Sequence, residues 1–483
     1  MNKLSKDVII STVFSLLNVL FNFWLIKEAE YVFSLAHLGI FLYVRRIAST
    51  FSNFVQLGTS QALIRFTSIE KDNAQKIKIY HIISIAIWLM VLGALVGIYT
   101  TFHPFLSSYF FPNSIHAISY LKITFVYISM LHLSYVVVPY FLNLRKIFIY
   151  NLIQLLAASL VMLLVFKYVG VSITILLLFH YSLSIIFLLL FLLLIYLIFK
   201  LKLYIFPKFD DIKSEGKQFL KYGLPRATIP FSDMLLLTIG AMLIQGNEDI
   251  IGGFLVAITL SRAILIILQP VSLLSAVISG HGNSEEKHTQ IVNLLVGGTI
   301  YIAIIAAILM YNWIDVLLPY WLKNEETIKL VTYIFKLLAL GLVPYALFQA
   351  LKGIIEIKYL KPLNLYTLLI GICSHVVLYY VFSVWFDTIK SVSLSLMISF
   401  ILLGTFSLYW NRKYLYSHKY FSLFPLLILN VILFIINFTA HSWYPTIEGF
   451  LLSGFISGIL FLIYCKTIKS AFLQETLKIF RKR

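Results

Sequence analysis

Charge is scarce in these 483 residues and negative charge scarcest: 20 acidic against 38 basic side chains, all charged types together making up 12% of the chain. Cysteine is nearly absent. The two that occur, Cys373 and Cys465, each lie in an apolar run, which argues against a disulfide framework or a cysteine-bound metal. No Gly-rich loop precedes a helix in the manner that cradles phosphates, so no internal ATPase is encoded. No hydrophilic stretch is long enough for a soluble domain, and no cofactor is implied. What the chain does have is apolar surface, with 60% hydrophobic residues and a mean hydropathy of +0.93. That exceeds what a water-exposed surface tolerates and marks an all-α polytopic membrane protein.

Runs close to the roughly 20 residues that cross a bilayer as a helix recur throughout. Fourteen spans are predicted, at 8–26, 40–64, 79–101, 117–142, 147–166, 171–198, 228–244, 253–279, 291–311, 328–353, 364–385, 390–410, 421–440 and 448–465. The first lacks a small-residue cleavage site and reads as a retained span. Placing the N-terminus inside puts most basic residues on inner segments, including the loop 199–222 and the tail after Cys465. The outer loops then hold only Lys27, Lys167, Lys323, Lys329 and Lys390. This asymmetry predicts a multi-pass protein of the plasma (inner) membrane with both termini cytoplasmic. Outer aromatic clusters such as Tyr109-Phe110-Phe111 and Trp443-Tyr444 suit the headgroup level. The net charge of +18 is therefore topology signal and attraction to membrane lipids, not a nucleic-acid patch.

An internal repeat organises the spans. "SIEK" at Ser68–Lys71 falls on "SEEK" at Ser284–Lys287, an offset of 216, and the same offset lays Leu144-Arg145 on Leu360-Lys361, Tyr150 on Tyr366 and Leu152 on Leu368. Six spans separate equivalent elements, so the halves enter the membrane in the same sense, the parallel-repeat plan of some transporters. The expected organisation is a six-helix lobe at 1–205, a second at 206–420, and two additional helices with a basic tail at 421–483.

The same register places Arg46 on Arg262. At about 100° per residue, Arg45, Arg46, Ser49, Thr50, Ser52, Asn53, Gln56, Thr59 and Ser60 share one half of the second span. Ile47, Ala48, Phe51, Phe54, Val55 and Ala62 fill the other half. A cation at this depth costs on the order of 3 kcal/mol on insertion scales and turns toward a bundle interior or a wet cavity. Lys122, Arg226 and Lys336 have comparable positions, while Asp233 is nearly alone among acids within the spans. The candidate anion-binding residues are Arg46, Arg262, Arg45, Arg226, Lys122 and Lys336, with Ser49, Asn53, Gln56 and Ser60 lining the lumen. Snorkelling to the interface is the competing reading for Arg45 and Lys122. An arginine-lined cavity asks for an anion, since the guanidinium fork matches phosphate oxygens bidentately.

With those residues in view, the chain resembles the Wzx-type polysaccharide-lipid flippases of the multidrug/oligosaccharidyl-lipid/polysaccharide exporter superfamily. The resemblance is carried by "QLGTSQALIRF", "KYGLPRATIPF", "GNEDIIGGFLVAITLSRAILIILQPVSLLSAVIS" and "GLVPYALFQALKGIIEIKYLKPLNLYTL", in order over most of the chain. It implies two six-span lobes that alternate between inward-open and outward-open states. The implied substrate is a polyprenyl-pyrophosphate-linked oligosaccharide, moved from the inner to the outer leaflet for cell-surface glycan assembly, and other polysaccharide-assembly proteins are implied partners. Related lipid II flippases hold pyrophosphate with cavity arginines, and Arg46 and Arg262 sit in comparable spans. One departure is visible: many relatives carry an acid followed by arginine late in the seventh span, where this chain reads "LLLTIGAMLI", so Asp233 is a poor carry-over for ion coupling.

Two other readings compete. A drug or organic-cation antiporter of the same superfamily needs carboxylates in its cavity, and the first span offers only Ser and Asn. A membrane polysaccharide polymerase or ligase needs a long outer loop bearing catalytic groups, which the short outer connections lack, so the chain is read as a transporter and not an enzyme. His37, His103, His132, His180 and His375 are scattered and read as packing residues. Pro139, Pro225, Pro230, Pro270 and Pro344 mark positions where helix breaks would let lobes rock.

Overall fold

The computed structural model describes residues 3–70, 72–144, 146–170, 173–244, 246–266, 285–358, 361–415 and 423–467. Helices account for nearly all of them, and no strand occurs among the described residues. In chain order they are α1 Lys3–Val32, α2 Leu35–Val55, α3 Thr59–Ile69, α4 Ala74–Phe110, α5 Ala117–Asn143, α6 Ile147–Leu155, α7 Val161–Val169, α8 Ile175–Lys200, α9 Phe209–Ile244 and α10 Glu248–Ile266. They continue as α11 Glu285–Trp321, α12 Glu325–Lys358, α13 Leu363–Phe382, α14 Thr388–Asn411, α15 Leu423–Trp443 and α16 Ile447–Thr467. Each expected span falls on a described helix; the eighth does so only up to residue 266, so its remainder, with Pro270, lies outside the described residues. Among the described residues eleven helical segments, one of them running from α6 through α7, are long and apolar enough to cross a bilayer, which makes this a multi-pass membrane protein.

The second expected span is not one helix. It breaks at Gln56–Gly58, where Leu57 (φ 50°) and Gly58 (φ 74°) adopt left-handed backbone and α3 starts on a new axis. Glycine takes that conformation without a steric penalty, whereas Leu57 must be held there by its surroundings. Ser60 therefore belongs to α3 and does not continue the α2 stripe. Of the apolar half of α2, Ile47 and Ala48 are buried, as are Phe41 to Val44, because α2 is packed against both α5 and α9, while Phe54 is exposed. The fifth span contains a π-helical turn at Leu156–Leu160 between α6 and α7. Asp315, expected in a loop, lies within α11.

The chain forms two compact units, residues 1–255 and 256–483. The division differs from the 205/206 repeat boundary because α9 packs on α2, α3 and α4 and so belongs with the first unit. Within that unit α5 is central, contacting α2, α3, α4, α6 and α8, and it buries Leu133, Val136 and Val137 completely. Lipid tails are as apolar as leucine, so helices in a bilayer associate through close packing and internal hydrogen bonds. Small residues sit accordingly at the crossings. A Cβ on Gly39 would come within 2.0 Å of the Glu248 carbonyl, and one on Gly58 within 2.0 Å of the Gly223 carbonyl. Outward-facing positions of α8, such as Leu188, Phe191 and Leu192, are exposed and apolar, while Ser182 on its inner face is buried.

In the second unit α12 packs on α11 and α14, α13 on α14, and α15 on α11 and α16. Tyr345 stacks on Phe400 at 4.2 Å between ring centroids. The backbone of α14 at Gly404 lies directly against Pro344, leaving no room for a side chain. The buried Trp313 indole donates to Asn437 Oδ1 at 3.1 Å, and Asn437 Nδ2 donates to Ser457 Oγ at 3.0 Å, which ties α15 and α16 to α11.

The helix boundaries recur at the repeat spacing. Shifted by 216, α4 falls on α11, α5 on α12, α6 to α7 on α13, and α8 on α14.

Candidate functional site

Adjacent residues on a helix diverge by about 100°, and the two arginines of α2 show what that does. Arg45 turns to α1 and the π turn: Nη2 donates to Asn22 Oδ1 at 2.9 Å and to the Ala158 carbonyl at 2.8 Å. A π turn leaves carbonyls without their usual i+4 donors, and Ala158 offers one of them to the guanidinium. Asn22 also donates to Asn18, so α1 presents a small polar cluster to Arg45. The Arg45 guanidinium lies 5.5 Å from the Phe41 ring centroid.

Arg46 turns the other way, toward α9, with Nη1 4.0 Å from Met234 Sδ. One turn on, Thr50 Oγ1 meets Thr238 Oγ1 at 2.8 Å, in the same α2–α9 seam. Each of these hydroxyls is also placed to donate to its own helix, Thr50 to the Arg46 carbonyl at 2.9 Å and Thr238 to the Met234 carbonyl at 2.7 Å. Two protons cannot make three bonds, so forming the inter-helix bond takes the threonine proton from either the Arg46 carbonyl, which keeps Ser49, or the Met234 carbonyl. The seam can therefore exchange partners at low cost. Phe51 and Phe54 close its end against Phe231, with centroids 6.3 and 5.0 Å apart.

The remaining polar residues of α2 face inward at different depths. Ser49 donates to the Arg46 carbonyl and Asn53 Nδ2 to the Ser49 carbonyl, and both are partly buried. Gln56 is buried, its Nε2 reaches Asn53 Oδ1 at 3.4 Å, and its Oε1 has no hydrogen-bond partner. Ser60 is partly buried on α3. Asp233 is partly buried on α9, next to Met234.

The other candidate cations do not gather with Arg46 within its unit. Lys122 is exposed near the start of α5. Arg226 is exposed on α9, its guanidinium 3.8 Å from the Tyr222 ring centroid. In the second unit, Arg262 is partly buried on α10, and Lys336 faces Asp315 at 3.9 Å on α11. His441 from α15 reaches the other oxygen of Asp315 at 3.2 Å. Residues that the sequence pattern did not single out are Met234, which faces Arg46, Thr238, which meets Thr50, and Arg65, which shares the Tyr222 ring with Arg226 at 4.8 Å. Arg65 lies beyond the left-handed turn, where a basic residue reads as topology signal. At the other end of α2, Glu248 at the start of α10 is held above the ordinary carboxylate range by burial; His37 acts against that shift and Asp249 adds to it.

No family model and no curated protein matches the sequence. Solved structures do match. The lipid II flippase MurJ in an inward closed conformation aligns with a TM-score of 0.68 at 15% identity, covering 95% of this chain and 98% of that one. This is the fold of MOP-superfamily transporters. An inward-facing multidrug resistance MATE transporter of that superfamily aligns at 0.59 and 14% identity, covering 84% of this chain and 97% of its own. A MOP-superfamily transporter from Pyrococcus furiosus, described by a reverse polarity of its binding pocket, aligns at 0.59 and 14% identity, over 84% of this chain and 95% of that one. The all-helical, many-span architecture expected from the sequence thus agrees with the fold.

Proposed function

We propose that the protein is a Wzx-type flippase that moves a polyprenyl-pyrophosphate-linked oligosaccharide from the inner to the outer leaflet. It would act by alternating access between lobes at 1–205 and 206–420, with both termini cytoplasmic and helices 421–483 appended. The observation that carries this reading is Arg46: a partly buried guanidinium on α2, turned into the α2–α9 seam beside hydroxyls that can change partners. Cations at such depth turn toward a bundle interior or a wet cavity, where an anionic substrate can reach them. Arg262, its repeat-related counterpart, would offer a guanidinium fork to phosphate from the second unit, while the sugars occupy the polar lumen lined by Ser49, Asn53 and Gln56 and the prenyl tail stays in lipid. Arg45, Arg226, Lys122 and Lys336 contribute positive potential at other depths. Moving negative charge outward gains about 2.3 kcal/mol per elementary charge per 100 mV when the protein's cations do not travel with it.

The likeness to MATE transporters keeps a cation antiporter as the second reading. It is weaker because a cation substrate would meet Arg46 in the seam, where Asp233 is the acid nearest in sequence.

Reconstituted protein would be tested with a labelled lipid-pyrophosphate oligosaccharide whose exposure in each leaflet is followed over time. Arg46→Ala and Arg262→Ala are each expected to slow transbilayer movement about tenfold or more, the worth of charge-assisted bonds to phosphate. Undiminished movement in both variants sinks the phosphate site. Glycan extension without flipping would favour the enzyme reading, and exchange of organic cations for protons the antiporter.

A further inference from the structure

A pair of exposed arginines meets at one aromatic ring at the far end of the α2–α3 segment, roughly five helical turns of chain beyond Arg46. Tyr222 on α9 carries two guanidinium groups: Arg226 lies 3.8 Å and Arg65 of α3 lies 4.8 Å from its ring centroid. Both arginines are exposed. Neither pairs with a carboxylate among the described residues, and Arg226 spends one donor on the Tyr222 carbonyl at 3.4 Å. The nearby acids are committed elsewhere. Glu70 takes Lys76 at 2.7 Å, and Glu215 accepts from the Tyr80 hydroxyl at 2.6 Å and faces Lys76 at 3.8 Å.

The platform under the arginines is rigid. Phe66 meets Tyr222 edge-on at 5.6 Å and stacks on Phe219 at 6.0 Å, and Tyr80 stacks on Phe219 at 6.1 Å. One residue from Tyr222, Gly223 sits directly against Gly58, so the distance between α3 and α9 is set by backbone contact. Two planar forks held on one ring, without acids to satisfy them, fit a group that offers oxygens to both, and a diphosphate does. Beside Arg65, one turn on along α3, Ile69 is exposed and apolar. Phosphate on the forks and an alkyl chain on this surface describe an amphiphile.

We propose that Arg65, Tyr222 and Arg226 form a receiving site for a diphosphate headgroup at the cytoplasmic membrane surface, occupied before the lipid reaches Arg46. The site rests on the flippase reading for its place in the cycle, but its ligand chemistry follows from its own residues. Ordinary phospholipid and free diphosphate share that chemistry, and the test separates them.

Full-length protein carrying Arg46→Ala and Arg262→Ala, in phosphatidylcholine nanodiscs, would be titrated with undecaprenyl diphosphate, phosphatidylglycerol and inorganic pyrophosphate. Undecaprenyl diphosphate is expected to bind at least tenfold more tightly than the other two. Arg65→Gln and Arg226→Gln are each expected to weaken it on the order of tenfold. Tyr222→Phe should retain binding because it keeps the ring, and Tyr222→Leu should lose it. Equal affinity for phosphatidylglycerol would make this a general lipid contact and overturn the assignment. Equal affinity for inorganic pyrophosphate would overturn the role of the alkyl chain. Binding insensitive to Arg65 and Arg226 would overturn the site itself. In the flipping assay, the Arg65→Gln, Arg226→Gln pair on an otherwise native background should raise the lipid concentration needed for half-maximal rate about tenfold or more, with the maximal rate kept. No flipping by the native protein would defeat the flippase reading while leaving the binding result to decide this one.

Discussion

Replacing Gly58 by alanine tests the break between α2 and α3 at its tightest point. The new Cβ would lie 2.0 Å from the Gly223 carbonyl oxygen, 2.3 Å from its carbon and 2.5 Å from its Cα, all backbone atoms that cannot rotate aside. Left-handed backbone at φ 74° adds roughly 1–2 kcal/mol for any residue with a Cβ. Forcing the two segments apart adds about 1–3 kcal/mol. Gly58→Ala is therefore expected to cost about 2–5 kcal/mol in SDS-driven unfolding from mixed micelles. Gly223→Ala meets the Leu57 and Gly58 carbonyls at 2.8 and 3.1 Å from a helical position, so it escapes the conformational term and should cost about 1–3 kcal/mol. Because both changes act on one contact, the double variant should fall short of their sum. A Gly58→Ala protein within about 0.5 kcal/mol of the parent, the range of an ordinary surface change, would show that α3 does not seat on α9 this way.

Two further outcomes follow from the same unit. A double-mutant cycle of Thr50→Val and Thr238→Val should return a coupling of about 0.6 kcal/mol and no more than about 1.7 kcal/mol, the range of inter-helix bonds in bilayers; an additive cycle would mean the hydroxyls do not meet. Glu248, whose pKa is raised on folding, binds its proton more tightly in the folded state, so its contribution to stability is full below the ordinary carboxylate range and is lost as pH rises through the raised value. Unfolding measured against pH should therefore show Glu248→Gln flattening that decline, and an unchanged slope would remove the burial argument.

Much of the fold was legible because run length and charge asymmetry act over whole segments. Each expected span lands on described helices, the second divided between α2 and α3 and the eighth followed only to residue 266, but the polar stripe expected to hold Arg45 and Arg46 together divides, Arg45 turning to α1 and Arg46 to α9. Their acceptors were not legible. Ala158 accepts Arg45 only because a π turn exposes its carbonyl, and nothing in "LAASL" announces that turn. The break at Leu57 depends on Gly223, far away in sequence, so a helical pattern ran straight through it. The predicted ninth span stops at 311, whereas α11 continues past Asp315, which faces Lys336. Arg65 was hidden by its neighbours: at a span end a basic residue is explained by topology, and only the shared ring of Tyr222 gives it a second meaning.

The left-handed turn at Leu57-Gly58 also bears on how such sequences can diverge. In an unbroken helix, one inserted or deleted residue rotates everything downstream by about 100° and would swing Arg65 away from its ring whenever Arg46 changed register. A turn that starts a fresh helix at Thr59 absorbs that rotation. The partly buried Arg46 and the exposed Arg65 can then drift independently, so lineages carrying this fold are expected to vary in length at this turn while keeping both side chains aimed.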